Sequence, residues 1–166
     1  MKPILSRKKL TLLIISLTLA LLCIIFIFSN SLKDGAESSE QSSSVYELVN
    51  DVTDALGFKS HVSHALVRNL AHFAEFSILG AFLAMASAMA LGVDRKHSLL
   101  CAAQKLIPAA ALCTLVAIVD ELIQFGSEGR APQVSDALLD ILGALFGILA
   151  VWTAFIILRT AHNKKS

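Results

Sequence analysis

Five acidic side chains lie inside stretches of this sequence that are otherwise apolar enough to cross a membrane. An ionised carboxylate near the centre of a membrane-spanning helix costs roughly 2.5 to 3.5 kcal/mol on insertion scales, so each acid needs a proton, water or a polar partner. Carboxyl groups in such places can bind cations, accept hydrogen bonds or transfer protons. The five acids are Glu75, Asp120, Glu121, Asp136 and Asp140.

One of these acids belongs to a stripe of basic residues. His61, His64, Arg68, His72 and Glu75 follow one another at spacings of three, four, four and three residues. Residues three or four apart share one face of a helix, so a continuous helix places all five on one stripe.

Two later segments repeat this pattern. Gln124 follows Asp120 by four residues, with Glu121 beside Asp120, and Asp140 follows Asp136 by four residues. Short links make neighbouring helices antiparallel, which brings the polar faces of the three segments to a similar depth. The spacing therefore predicts one polar chamber that three helices share and that opens to the outer side of the membrane.

Two arginines and one amide are the candidates for holding a ligand. Arg130 lies in a turn between Gly129 and Pro132, and an arginine can grasp a carboxylate or phosphate with two parallel hydrogen bonds. We predict that Arg68, Gln124 and Arg130 bind the substrate. The sequence identifies no nucleophile. The candidate acids or bases are His72, Glu75, Asp120, Glu121, Asp136 and Asp140.

Two simpler interpretations stay open. Polar side chains can join helices through interhelical hydrogen bonds without any further role, and Gly143 and Gly147 have the spacing that allows close helix packing. His72 with the carboxylates would suit a divalent cation, but the sequence has no compact metal-binding motif. We therefore predict no metal site and no cofactor, and keep a divalent cation as a weaker alternative.

Composition and hydropathy define the fold class. The chain has 166 residues, of which 55% are hydrophobic and 16% are charged, too apolar for an ordinary soluble domain of this size. We predict an all-α, polytopic membrane protein, a single domain over residues 1–166 that forms a four-helix transmembrane bundle. The predicted spans are about 10–28, 66–91, 106–125 and 134–158.

The distribution of basic residues predicts the orientation. Ten of the 14 Lys and Arg residues lie in segments that an inside N-terminus would place in the cytoplasm, so both termini are predicted to be cytoplasmic. These ten are Lys2, Arg7, Lys8, Lys9, Arg95, Lys96, Lys105, Arg159, Lys164 and Lys165.

The longest loop, residues 29–63, then faces outward. We expect residues 31–44 to form a flexible linker because they are rich in Ser, Glu and Gln. After it, apolar residues at spacings of three and four predict a short amphipathic helix that ends at Gly57 and either lies in the outer interface or caps the bundle. Its predicted apolar face consists of Val45, Leu48, Val49, Val52, Ala55 and Leu56.

Several motifs, in order, resemble the VanZ-like family over almost the whole chain. They are Phe28-Ser29-Asn30-Ser31, then Arg68 with Ala71-His72-Phe73-Ala74-Glu75-Phe76 and Leu79-Gly80, then Asp120-Glu121-x-x-Gln124-Phe125 with Gly129-Arg130, and finally Asp136-x-x-x-Asp140-x-x-Gly143. Family members often have Asn where this chain has Asp140. The resemblance implies a multi-pass protein of the bacterial cytoplasmic membrane, in a family whose namesake is associated with resistance to the glycopeptide teicoplanin.

These observations lead to one expected function and two rivals. We expect the outward-facing polar site to bind or act on an envelope lipid, a lipid-linked precursor or a lipoglycopeptide, in teicoplanin-type resistance or in envelope maintenance. One rival is an intramembrane hydrolase or transferase that uses carboxylates as acid or base. The other is a transporter or a partner-binding membrane subunit. We expect no nucleic-acid partner, and the oligomeric state stays open.

Overall fold

A computed structural model describes residues 6–33, 35–55, 57, 63–93, 98–126 and 134–163. Among these residues there is no strand, and the all-α prediction is confirmed. The helices are α1 (Arg7–Ser31), α2 (Gly35–Ala55), α3 (His64–Ala90), α4 (Leu99–Gln104), α5 (Ile107–Phe125) and α6 (Val134–Asn163).

Four segments of the described residues are long and apolar enough to cross a membrane, in agreement with the predicted number of spans. They are Arg7–Ser31, His64–Ala90, Leu99–Phe125 and Val134–His162. The first two begin earlier than predicted because a serine caps each of them. The Ser6 hydroxyl accepts the N–H of Lys9 at 3.4 Å, and the Ser63 hydroxyl accepts the N–H of Leu66 at 3.2 Å. Hydropathy does not reveal such polar first turns.

The third span is interrupted where the sequence predicts its beginning. We expected the span to start at Leu106, but a short helix, α4, precedes α5 and ends at Gln104. Pro108 lies in the first turn of α5 and has no N–H to donate. Its ring would clash with the carbonyl of residue 104 in a continuous helix, so the chain breaks there.

The segment between the first two spans is more helical than the sequence suggested. The prediction of a flexible linker over residues 31–44 is wrong, because α1 includes Ser31 and α2 begins at Gly35. Glu and Gln are good helix formers and the segment has no proline. The predicted stop is confirmed, because Gly57 follows the end of α2 with a φ of +80°.

Helix α2 packs against α3, and part of its predicted apolar face is exposed. The Tyr46 ring stacks on His64, with 3.7 Å between ring centroids, and Asn50 is buried. Leu48 and Val52 of the predicted face remain 63% and 51% exposed. Helix α2 therefore contacts the start of α3 through Tyr46 and leaves Leu48 and Val52 exposed.

Close contact between α3 and α6 organises the bundle. A Cβ atom added at Gly143 would lie 2.5 Å from the Phe73 carbonyl oxygen, and one at Gly147 would overlap the Ser77 carbonyl oxygen. The predicted packing role of these two glycines is confirmed. The pairs also show that α3 and α6 are parallel, since both residue numbers rise together.

A small apolar core fills the space between α1, α3 and α5. Ile27, Phe76, Leu79, Cys113 and Ala117 are almost completely buried there. Lipid tails are as apolar as these side chains, so close packing rather than removal from water stabilises the contact. Phe76 directly follows Glu75 in the chain, so this core lies beside the Glu75 carboxyl group.

Candidate functional site

Polar residues from α1, α3, α5 and α6 meet at the end of the bundle where α1 ends and α3 begins. We call this group the polar cluster. It consists of Asn30, Ser31, Arg68, His72, Glu75, Asp120, Gln124, Asp136 and Asp140.

Asp120 links α5 to the end of α1. Ser31 donates a hydrogen bond to Asp120 Oδ1 at 2.5 Å, and Gln124 Nε2 donates to Asp120 Oδ2 at 2.7 Å. All three side chains are buried. Both carboxyl oxygens therefore have a donor, and hydrogen bonds to a carboxylate are among the stronger ones in proteins.

Arg68 joins α3 to α5 and α6 at the edge of the cluster. Its Nη2 atom lies 3.5 Å from Gln124 Oε1 and 3.7 Å from Asp136 Oδ2, and its side chain is 38% exposed. Both distances are at the long end for direct hydrogen bonds. Arg68 is thus close to two acceptors without being held tightly by either.

His72 faces Asp140 across the close α3–α6 contact. The His72 Nδ1 atom lies 3.6 Å from Asp140 Oδ1, and Asp140 is completely buried. Among the described residues, neither Asp140 oxygen nor His72 Nδ1 has a hydrogen-bond partner. Buried polar atoms usually have a partner, so this pair stands apart from the rest of the cluster.

Glu75 connects the cluster to α1 on another side. Asn30 Nδ2 donates to Glu75 Oε1 at 3.4 Å, and Lys33 Nζ donates to Asn30 Oδ1 at 3.1 Å. Asn30, Ser31 and Lys33 are contributions that the sequence reasoning missed, because it placed them in the loop after the first span. Continuing that helix by one turn brings Asn30 and Ser31 to the level of the other polar groups.

Seven of the nine predicted site residues lie in the polar cluster. The structure brings together Arg68, His72, Glu75, Asp120, Gln124, Asp136 and Asp140, while their roles as catalytic or substrate-binding residues stay predictions. Glu121 is half-buried and points about 100° away from Asp120 around α5. Arg130 and His61 lie outside the described residues. The stripe predicted on α3 is helical from His64 onward.

Fold and cluster together define a class, an all-α multi-pass membrane protein whose spans share a buried polar cluster. A family model narrows this class, because the VanZ/LLP1 model matches residues 14–158, nearly the whole chain. The chain belongs to the VanZ/LLP1 family, as its motifs predict. Comparisons with curated proteins and with solved structures gave no match.

Proposed function

We propose that the protein binds an amphipathic lipid of the bacterial cell envelope, with the polar head at the polar cluster and an apolar chain against the bundle. A lipid-linked envelope precursor and a lipoglycopeptide such as teicoplanin share this chemistry, a polar body attached to an apolar chain. One observation carries the proposal: an apolar groove between α1 and α3 adjoins the polar cluster and shares Glu75 with it.

The groove has the size and lining of a lipid-chain site. Its volume is about 370 Å³, within the range of small-molecule pockets. Apart from Glu75, its lining is apolar. The lining residues are Leu19, Leu22, Cys23, Phe26, Ile27, Glu75, Ile78 and Phe82.

The groove runs lengthwise along the bundle and opens sideways. From Glu75 to Phe82 it extends about 10 Å along α3, at about 1.5 Å per residue. Leu22 and Phe26, on its α1 side, are each 55% exposed on the surface that a span turns toward lipid. A lipid chain could therefore enter from the bilayer, with its head reaching the polar cluster at the Glu75 end.

Arg68 is suited to hold an anionic head group. It is partly exposed, and its contacts with Gln124 and Asp136 are long enough to be exchanged for a bidentate contact to phosphate or carboxylate. Gln124 would then orient the ligand. Arg130 stays part of the proposal as a second cation.

The distribution of basic residues favours an outward-facing cluster. Arg7, Lys8 and Lys9 at the start of α1, Lys105 between α4 and α5, and Arg159 near the end of α6 lie at the opposite end of the bundle from the cluster. The positive-inside rule assigns that end to the cytoplasm. The ligand would then come from the outer leaflet of the cytoplasmic membrane.

The His72–Asp140 pair favours a second candidate function, hydrolysis or group transfer on the same lipid. A histidine beside a carboxylate can act as a general base. Purified protein in nanodiscs, incubated with envelope lipids and lipid-linked precursors, should then release a product that His72→Ala no longer forms. A failure to form product from any of these lipids would contradict this second candidate.

Two adjacent leucines provide the test of lipid binding. Leu21 and Leu22 are 57% and 55% exposed on α1, but only Leu22 lines the groove. Leu22→Trp should fill the groove and weaken binding by about tenfold or more, a change of about 1.4 kcal/mol, while Leu21→Trp should bind like the parent. Native mass spectrometry and titration in nanodiscs measure binding in three arms, which are envelope phospholipids, a lipid-linked precursor and teicoplanin.

The three arms distinguish the possible ligands. Saturable binding in one arm, lost in Leu22→Trp alone, identifies the ligand class. Binding that is absent from all three arms, or that both tryptophan variants weaken equally, would contradict the proposal.

A further inference from the structure

We infer that His72, Asp120 and Asp140 form a binding site for a divalent transition-metal cation such as Zn²⁺ or Mn²⁺. Each residue offers one donor atom, and these atoms lie within 4.8 Å of one another. They come from α3, α5 and α6, so the site depends on the packed bundle and not on a compact sequence motif. Cation binding there does not require a lipid in the groove.

The spacing of the donors fits a shared ion. Zn²⁺ binds histidine nitrogen and carboxylate oxygen at about 2.0 to 2.2 Å, which places two ligands about 3 to 4 Å apart. His72 Nδ1 and Asp140 Oδ1 are already 3.6 Å apart, too far for a good hydrogen bond between them. An ion between them requires only small side-chain movements.

The burial of Asp140 is a second, independent observation that favours a bound ion. Its side chain is completely buried, and neither carboxyl oxygen accepts a hydrogen bond from a described residue. His72 Nδ1 is also without one. A buried carboxylate without donors is strongly unfavourable unless a charge or a metal compensates it, and an ion at this point contacts both groups.

Asp120 has the surroundings of an oriented metal ligand. Ser31 and Gln124 each donate to one of its oxygens, and a carboxylate oxygen has a second lone pair for a metal. Metal-binding carboxylates are commonly held by such outer hydrogen bonds, which fix their direction. Ser31 and Gln124 are therefore positioning residues for the site.

Charge favours a cation in the same place. The polar cluster contains the carboxyl groups of Glu75, Asp120, Asp136 and Asp140, and Arg68 lies at its edge beside Asp136. Asp140 and Asp120 are farther inside. A divalent ion would balance these two inner carboxylates.

The donor set indicates the kind of metal. Imidazole suits zinc and neighbouring transition metals, while carboxylates also accept manganese. Three protein ligands leave a fourth position for water or for an anionic group of a ligand, as in zinc sites that are not closed. Mg²⁺ and Ca²⁺, which prefer oxygen ligands, should bind more weakly than Zn²⁺ or Mn²⁺.

The test measures metal binding to the full chain purified in detergent and stripped with a chelator. Titration with Zn²⁺ and with Mn²⁺ by calorimetry, followed by elemental analysis after gel filtration, should give about one ion per chain. Asp140→Asn should weaken binding about a hundredfold. Asp51→Asn, at an exposed aspartate of α2 outside the polar cluster, should stay within about threefold, and Ser31→Ala should lose about tenfold, as typical for outer partners.

A spectroscopic measurement covers the case in which Asp140→Asn fails to fold. Co²⁺ loaded into the parent chain should show visible absorption that His72→Gln alters and Asp51→Asn leaves unchanged. Less than one tenth of an ion per chain for both metals, or equal weakening by Asp140→Asn and Asp51→Asn, would overturn the inference.

Discussion

Asp120 and Asp140 occupy neighbouring helices in the polar cluster and are both completely buried, but their surroundings differ. Asp120 receives hydrogen bonds from Ser31 and Gln124, one on each oxygen. Asp140 receives none from the described residues, and His72 Nδ1 lies 3.6 Å from its Oδ1. The first carboxyl group is suited to join helices, and the second is suited to bind a partner that the described residues do not supply.

The difference shows how the bundle can hold an unfavourable group in place. Close backbone packing at Gly143 and Gly147 fixes α6 against α3 and so keeps Asp140 beside His72. On the opposite side, the Ser31–Asp120 hydrogen bond fixes α1 against α5. Stability comes from glycine packing and from the satisfied aspartate, while Asp140 is left available.

The largest effect should come from separating α3 and α6. Gly147→Leu would drive a side chain into the backbone of Ser77 and Ala81, which cannot yield as a flexible side chain would. We expect a loss of about 3 kcal/mol or more in the free energy of unfolding, at or above the upper end for overpacking. Unfolding by SDS titration in mixed micelles measures it.

Ala150→Leu is the matched control for this change. Ala150 is exposed on α6, so the added volume should contact lipid or detergent and change stability by less than about 0.5 kcal/mol. Equal stability of the two variants would mean that close α3–α6 packing does not hold His72 against Asp140.

Replacing each aspartate by asparagine should change the free energy of unfolding by a smaller amount, with different signs at Asp120 and Asp140. Asp120→Asn brings an NH₂ group toward the donors Ser31 and Gln124, which should cost about 1 to 3 kcal/mol. Asp140→Asn removes a buried carboxyl group that has no donor among the described residues, so stability in the presence of a chelator should be unchanged or higher by about 1 kcal/mol.

The same SDS titration, run for both variants with chelator present, gives the comparison. A loss of similar size at the two positions would show that Asp140 has a structural partner as Asp120 does. Its proposed availability to a cation would then be wrong.

Much of the fold follows from hydropathy and helical spacing. Four spans, the helix stop at Gly57 and the packing role of Gly143 and Gly147 were all predictable, because each depends on local composition or on one residue type. The break before α5 and the serine caps shift boundaries by only a few residues. Helix formation over residues 35–44 was missed because Ser-rich composition resembles a linker.

The candidate site was predictable only in part. Spacing placed polar faces on α3, α5 and α6, but Asn30 and Ser31 follow an apolar run and were assigned to a loop. Spacing also makes Asp120–Gln124 and Asp136–Asp140 look alike, since both are one helical turn apart. Which of these aspartates meets a donor depends on how the helices rotate against one another, and a single sequence does not report that rotation.

The smallest effect concerns the α1 side of the comparison and uses two serines of one helix turn. Ser31→Ala removes a buried hydroxyl that donates to a carboxylate, and the Gln124 donor remains. We therefore expect a loss of about 1.5 kcal/mol in the free energy of unfolding, the lower end for hydrogen bonds to charged groups. Ser29 is exposed, and its hydroxyl donates to the Ile25 carbonyl of the same helix at 2.7 Å.

Ser29→Ala should therefore change stability by less than about 0.5 kcal/mol, because the Ile25 carbonyl keeps its helical environment. The Ser31–Asp120 hydrogen bond does not depend on a cation, so Ser31→Ala should lose stability both with and without chelator. A residue that acts only through a bound cation would affect stability only without chelator. If Ser31→Ala and Ser29→Ala have the same stability, the hydroxyl of Ser31 does not join α1 to α5, and only the Gln124 hydrogen bond would then distinguish Asp120 from Asp140.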